Sequence, residues 1–392
     1  MRALFTVFRK EVVENLRDRR TVLSALVLGP IGAPLLFTVM MNLTLERSRE
    51  HDERPLQLSV AGRAAAPNLI AFLAGAGVSV SDLPGGADGA AQAVREHRVR
   101  LALVVPDDYG ARLRAGEPAK VLLYIDTADT AAGADQARAG ALLSMYGGRI
   151  AAWRLAARGL SPAIAQPVVV DQIDVSTPAA RATTVLGMLS YFIVFATLMG
   201  GIYVAIDATA GERERGSLEP LLTLPLRRRS IVYGKILAAA AFMALSLALT
   251  ILAFAISLRY VHLDAFGMEL NFGPSVALAI YGLMLPFVVL GAALLTLVAS
   301  FTRSYREAQS WLAGLVLVPT MPILFAAIYQ VAPRLGLMWV PSLGQHLLIQ
   351  SLLRAEPVGV AAVLLSAGTT LALGLGLARL AVWLYERERI LG

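Results

Sequence analysis

The 392-residue sequence contains no cysteine, so disulfides, thiolate nucleophiles and thiolate-held metals are all excluded. Histidine is scarce as well. His51, His97, His262 and His346 are scattered and show neither His-x-x-x-His nor His-Glu-x-x-His spacing for a metal. A phosphate loop is also missing. Gly211-x-x-x-x-Gly216-Ser217 has the glycine spacing, but no lysine follows to reach the terminal phosphates, and an apolar span precedes it instead of a sheet strand. If ATP drives this protein, the ATPase is a separate chain. A secretory signal peptide is not expected either: the first apolar run is too long, follows a polar helix, and reads as a retained span.

What the sequence has in abundance is apolar surface. Hydrophobic residues make up 57% of it and the mean hydropathy is +0.64, which describes an integral membrane protein. The fold class expected is a polytopic α-helical membrane protein. It has six transmembrane helices and an extracytoplasmic α/β domain inserted between the first and second. Residues 1–20 open the chain with an amphipathic helix. Leu4, Phe5, Phe8, Val12 and Leu16 share one side, with Arg9, Lys10, Glu14 and Arg17 largely opposite, the pattern of a helix lying in the cytoplasmic interface. The first span, 21–43, carries no charge and is long enough to cross roughly 30 Å of hydrocarbon. Gly29, Pro30, Gly32 and Pro34 predict a kink or a close helix contact within it.

Residues 44–182 differ in chemistry: they are charged, and no run is long enough to span. Strands are expected at 57–61, 78–80, 101–105 and 121–125, with helices at 68–76, 89–97 and 107–115 between them. That alternation predicts a small α/β domain with a mixed or largely parallel sheet. An Ala-rich helix over 128–158 and a returning strand over 166–175 complete it. The region 183–392 then supplies five spans, at 183–206, 232–258, 275–300, 311–331 and 357–385. Pro286 kinks the fourth span, and Pro319 with Pro322 the fifth.

Six spans place both termini on one side. Sixteen Lys and Arg fall in the segments assigned to the cytoplasm, against Arg259, Arg334 and Arg354 in the short exterior loops. The positive-inside rule therefore puts both termini and the 207–235 loop in the cytoplasm, and leaves 44–182 outside, since long domains translocate whatever their charge. The same rule accounts for the net charge of +7 without invoking nucleic acid. Residues 341–357 are too short and polar to span. Ser342-Leu-Gly-Gln345 is a capping-box pattern, so an amphipathic helix is expected there, dipping into the outer leaflet, packing on the outer ends of the bundle, or simply lying outside.

The interiors of the first five spans lack ionisable residues, and the sixth has only Arg379, near its cytoplasmic end. A proton relay or proton-coupled carrier normally shows such groups at membrane depth. The polar groups left to line a path are Asn42, Ser190, Tyr191, Thr197, Tyr203, Ser246 and Thr250, with Tyr281 and Thr296 further on. Each is more often a packing or interface residue than a ligand.

The most informative stretch is the loop over 211–225. Ser217 is placed to cap a short helix, Glu219 falls in its first turn, and Leu218, Leu221 and Leu222 form one apolar face. Pro225 ends that helix, and Arg227, Arg228 and Arg229 hold the next span at an anionic leaflet. A short helix of this kind, rimmed by charge and held off the membrane, suits docking to another protein.

Glu212-Arg-Glu-Arg-Gly-Ser-Leu-Glu-Pro-Leu-Leu222 is similar to the E-x-E-x-G-[ST]-x-E-x-L-L segment of type V ABC exporter permeases. The whole layout resembles their NatB-like branch, which is named for sodium extrusion. The resemblance implies that 211–225 is a coupling helix seated on an ABC ATPase subunit. Glu212, Glu214, Gly216, Ser217, Leu218, Glu219, Leu221 and Leu222 would make or support that contact. It further implies a homodimer with two ATPase copies in a bacterial inner membrane, with ATP and magnesium held by the partner and no cofactor in this chain. Its cargo would be sodium or a small amphipathic compound, although the spans offer sodium no carboxylate. The rival reading is a membrane-anchored sensor or enzyme acting through 44–182, where Asp107, Asp108, Asp126 and Asp129 are the available carboxylates.

Overall fold

A computed structural model of the chain describes residues 2–53, 55–126, 132–165, 183–217, 220, 225–261, 271–329 and 331–386. The chain divides into two compact units, one of Met1–Glu46 with Val175–Gly392 and one of Arg47–Asp174.

The first unit is helical. Among the described residues, six helices are long and apolar enough to cross a membrane: Arg19–Leu43, Gly187–Glu214, Arg228–Tyr260, Pro274–Phe301, Tyr305–Ile328 and Val360–Glu386. They follow α1 (Arg2–Arg17). In the first span the chain forms π turns over Leu23–Leu28 before α2 (Gly29–Glu53) begins. Pro30 has no N–H to return to the preceding turn, so a widened turn just ahead of it is the expected response. Of the kink or close helix contact expected in this span, the contact falls at Gly29, where a β-carbon would lie 3.5 Å from Met199 Cβ of the second span.

The second span, α7 (Thr183–Ile206) continued by π turns over Asp207–Gly211, is the central one. Its most apolar window is 72% buried, against 22% for the first span and 17% for the sixth. It packs on α8 (Arg228–Ser257) and α9 (Pro274–Phe301). Small residues set these distances. Gly200 faces Ser246, Gly201 and Gly291 face Met243, and Gly374 lies against the backbone of Leu290. Close backbone approach of this kind is how helices associate where lipid removes the hydrophobic drive.

The fifth span begins six residues before its expected start. Ser304 caps it by accepting from the Glu307 N–H at 3.2 Å, so Arg306, Glu307 and Gln309 stand on helix instead of loop. It is broken at Val316 into α10 (Tyr305–Leu315) and α11 (Leu317–Ile328). Pro319 would clash with the carbonyl four residues back, which explains the break. The expected amphipathic helix is α12 (Leu343–Leu353), buried along most of its length against the second, fourth, fifth and sixth spans. It packs on the bundle. Gln345 Oε1 accepts from the Ser342 N–H at 2.8 Å, one half of the capping box. The sixth span is α13 (Val360–Glu386).

The second unit holds a four-stranded sheet of β1 (Gln57–Ala61), β2 (Ser79–Asp82), β3 (Leu101–Val104) and β4 (Leu122–Ile125), ordered β2-β1-β3-β4. β1 is parallel to β2 and β3, and β4 is antiparallel to β3. The central strands are covered on both sides, and β3 accordingly reads as an unbroken apolar run, while β1 is interrupted by Ser59. Leu58, Val60, Leu101 and Leu103 pack with α3 (Pro67–Gly75), while Ala61, Ala102 and Val104 pack with α4 (Gly86–Arg95). α5 (Tyr109–Ala115) and α6 (Ala132–Ala157) follow. The strand expected over 166–175 lies outside the described residues.

A side chain at Gly374 would meet the Leu290 backbone at 2.9 Å, whereas at Gly376 nothing lies within 4 Å. Gly374→Leu is therefore expected to cost about 1–3 kcal/mol of stability through overpacking. Gly376→Leu should be near neutral. Thermal unfolding of the two variants in one detergent checks this.

Candidate functional site

The charged run Glu212-Arg-Glu-Arg215 stands at the end of the second span, in a single helical turn. Successive residues of a helix point about 100° apart. Four consecutive charges therefore fan out in different directions, and each meets a different element.

Glu212 turns inward and is 4% exposed. Its Oε2 accepts from Lys235 Nζ, and its Oε1 is 2.9 Å from Lys10 Nζ. Lys235 sits two turns into α8 and is 1% exposed; it also donates to the Ala208 carbonyl in the π turns. Glu11 of α1 completes the cluster, 1% exposed, 3.2 Å from Lys10 Nζ and 3.9 Å from Lys235 Nζ. α1 reaches this position because Val7, Glu11 and Asn15 line one face of it, and because Gly234 of α8 leaves room for Val7. Burial holds the Glu11 carboxyl above the ordinary range; nearby Lys235 and Lys10 pull it down, while Glu212 pushes it up. For Lys10, partial burial works against the charge. The hydrogen bond to Glu212 and the fields of both carboxylates prevail and raise its pKa.

The other three residues tie the loop to the remaining spans. Arg213 donates to the carbonyls of Thr302 at 2.8 Å and Ser300 at 3.2 Å, where α9 ends with carbonyls that have no helical partner. Glu214 accepts from the Tyr305 N–H at 2.6 Å, at the start of α10 where a carboxylate suits the free N–H groups and the dipole. Arg215 pairs back to Asp207 at 2.8 Å. Further on, Arg228 donates to the Tyr385 carbonyl at 2.9 Å and so joins α8 to α13.

The turn then closes at Gly216, whose φ of +67° is readily available only to glycine. The N–H of Gly216 bonds the Arg213 carbonyl and that of Ser217 the Glu212 carbonyl, the paired bonds of a Schellman ending. The Ser217 hydroxyl also donates to the Glu212 carbonyl at 3.1 Å. Ser217 thus finishes the helix that precedes it; the helix start it was expected to cap lies outside the described residues. Leu218, Glu219, Leu221 and Leu222, and the charged tail beyond Glu386, lie outside the described residues. Glu212 was read from sequence as part of a surface facing a partner, but its carboxylate is inside, and Glu214 is committed to the fifth span.

The polar residues proposed for a path do not converge. Thr197 and Thr250 hydroxyls bond their own helix carbonyls, Ile193 at 2.7 Å and Ser246 at 2.7 Å. Ser246 bonds across to the Ala196 carbonyl at 3.0 Å, which pins the second and third spans. Asn42 reaches the Tyr260 carbonyl at 3.5 Å, and Tyr203 is half-buried. Ser190 lies 2.6 Å from His346 Nδ1, both fully buried, and Tyr191 lines a cavity of about 670 Å³. Sequence reasoning missed Glu11, Lys235 and His346. The signal for the first was its i, i+4 place between Val7 and Asn15; for the second, a lysine two turns inside an apolar helix.

Removing one partner of a buried ion pair strands the other charge, a loss of about 3–5 kcal/mol. Lys235→Met should show that cost in thermal or denaturant unfolding, and Lys235→Met with Glu212→Met should recover part of it. Glu11 carries its own pH signature. Its pKa is raised above the ordinary 4.5, so its contribution is complete below that value and is lost as pH rises through the folded value. The stability of the unaltered protein relative to Glu11→Gln is expected to fall with rising pH; melting curves across that range check the sign.

Comparison with known proteins fits this architecture. The profile of the family described as ABC-2 family transporter protein matches residues 5–367. The ABC transporter permease protein NatB of Bacillus subtilis (strain 168) is 25% identical over 373 residues, covering 93% of this chain and 92% of the relative. With a match running from α1 into the sixth span, the chain belongs to the ABC-2 family of transporter proteins, as a multi-pass ABC permease of the NatB-like kind.

Proposed function

We propose that this chain is the permease subunit of a type V ABC exporter, paired as a homodimer with two copies of a separate ATPase. Residues 211–225 are its coupling segment. The termini face the cytoplasm of a bacterial cell, and residues 44–182 lie outside the plasma membrane. ATP and magnesium belong to the partner chain. The observation that carries this reading is the clasp made by residues 212–215. A displacement of that turn is transmitted to α1 and to the third, fourth and fifth spans together, through Lys10, Lys235, the Ser300 and Thr302 carbonyls and the Tyr305 N–H. Partner-facing contact then falls to Glu219 and the leucines beyond Gly216, with Glu212 and Glu214 acting behind them as transmitters.

Transport follows from a change between two arrangements of the spans, driven by approach of the ATPases. Substrate can be moved only if it binds the two arrangements with different affinity. The cargo is sodium or a small amphipathic compound, of which the apolar spans favour the second.

Purification of the chain from its native membrane in mild detergent tests the assignment. An ATPase should co-elute in stoichiometric amount, and Glu219→Lys with Leu222→Asp should weaken the association at least tenfold, about 1.4 kcal/mol. Elution without any ATPase, or unchanged association in the variant, overturns the coupling assignment.

A further inference from the structure

Away from the charge clasp, the first, second and fifth spans and α12 enclose the cavity of about 670 Å³. Its wall is largely apolar, with Tyr191 and Phe192 from the second span and Ile323, Leu324 and Ile328 from the fifth. Two polar side chains join that wall, Gln350 and Arg354, one helical turn apart at the end of α12. The Arg354 side chain is 18% exposed. Its Nη2 donates to Gln350 Oε1 at 3.0 Å. The nearest carboxylate, Glu356, is 3.6 Å from Nη1 and itself 44% exposed, so water weakens its hold. Arg354 Nε is buried and has no hydrogen-bond partner. No Asp or Glu is among the residues lining the cavity.

A guanidinium presents five donors in one plane, and a carboxylate or phosphate accepts two of them side by side. Burying such a cation without full pairing is costly. Here it borders an apolar chamber whose volume falls in the range of roughly 300–1,000 Å³ that holds drug-sized ligands. A bare monovalent cation needs an oxygen cage instead, and at this wall it would meet a positive charge. We infer that the cavity binds an amphipathic anion, with an apolar body among Phe192, Ile323 and Leu324 and a carboxylate or phosphate on Arg354. This names a substrate class for the permease proposed above and rests on that reading, but the binding step itself requires no ATPase.

The test is equilibrium binding to the full chain in phosphatidylcholine nanodiscs without ATPase, so its result is separable from any failure of partner association. The probes are dansylated undecanoic acid and the trimethylammonium compound with the same tail. The acid is expected to bind at least about tenfold more tightly, the scale of one charged hydrogen-bonded contact. Arg354→Gln should abolish that preference, and Arg354→Lys should keep part of it, retaining charge without the fork. Ala327→Trp, which fills the chamber from the fifth span, should weaken both probes and serves if Arg354→Gln does not fold. Repeating the titration with phosphatidylglycerol in the discs separates the two sources of such a head: competition assigns the site to a lipid, no competition to a free amphiphile. Equal affinity for the two probes, or an acid preference that survives Arg354→Gln, overturns the inference. So does failure of both probes to bind together with cross-linking of two copies through Phe192→Cys, which is clean in a chain without cysteine and would assign the cavity to a second copy.

Discussion

The end of the bundle that carries α1 depends on one buried pair, Lys235 with Glu212. Neither group would persist there alone, because an uncompensated charge at such burial costs several kcal/mol. Together, with Lys10 and Glu11 beside them, they form a four-membered cluster of two cations and two carboxylates contributed by α1, α8 and the end of the second span. A buried pair adds little net stability compared with a well-packed apolar one. What it adds is register: Lys235 can meet both Glu212 and the Ala208 carbonyl only where the π turns of the second span place them. The three neighbours of Glu212 extend that register to the fourth and fifth spans and back to Asp207.

Much of the architecture was legible because lipid imposes simple rules. Runs of uncharged residues longer than about 20 can do little but span, and the regular α-helical part of the second span covers the residues expected, Thr183–Ile206, before the span runs on to Glu214. Strand β3 was legible for a similar reason: it is buried on both faces and reads as a short apolar run, Leu-Ala-Leu-Val. Where the reading fell short, a local signal was outweighed by tertiary packing. The fifth span starts early because the Ser304 cap and Glu214 stabilise a polar first turn that hydropathy leaves out. The helix end at Gly216 was not foreseen because a Ser before an apolar stretch looks like a helix start, and only the left-handed glycine ahead of Ser217 marks the end of the preceding helix.

The site was legible in outline and not in its partners. The Glu-Arg-Glu-Arg run stood out as charge, but which charge faces inward is set by helical phase, which the π turns over Asp207–Gly211 shift relative to a regular helix. Glu11 and Lys235 are single charges near the ends of apolar faces, where sequence favours a solvated reading. Only the close approach of α1 to Gly234 buries them.

The distribution of charge separates two kinds of work. At the end of the bundle that carries α1, cation and anion are matched, so the cluster is saturated and leaves no free valence for a ligand between Lys235 and Glu212. At the α12 cavity the balance is different, because Arg354 retains a buried donor and faces an apolar wall. Between them the third span offers Ser246 and Thr250, whose hydroxyls are engaged by helix carbonyls. In the third span each of these two hydroxyls would have to give up a short bond to hold an ion, so that span offers no charged or free polar stepping path. In the exporter reading, therefore, the clasp supplies rigidity where force enters and the cavity supplies differential affinity where cargo leaves. The α7 helix, packed against nearly every other span, is the element common to both.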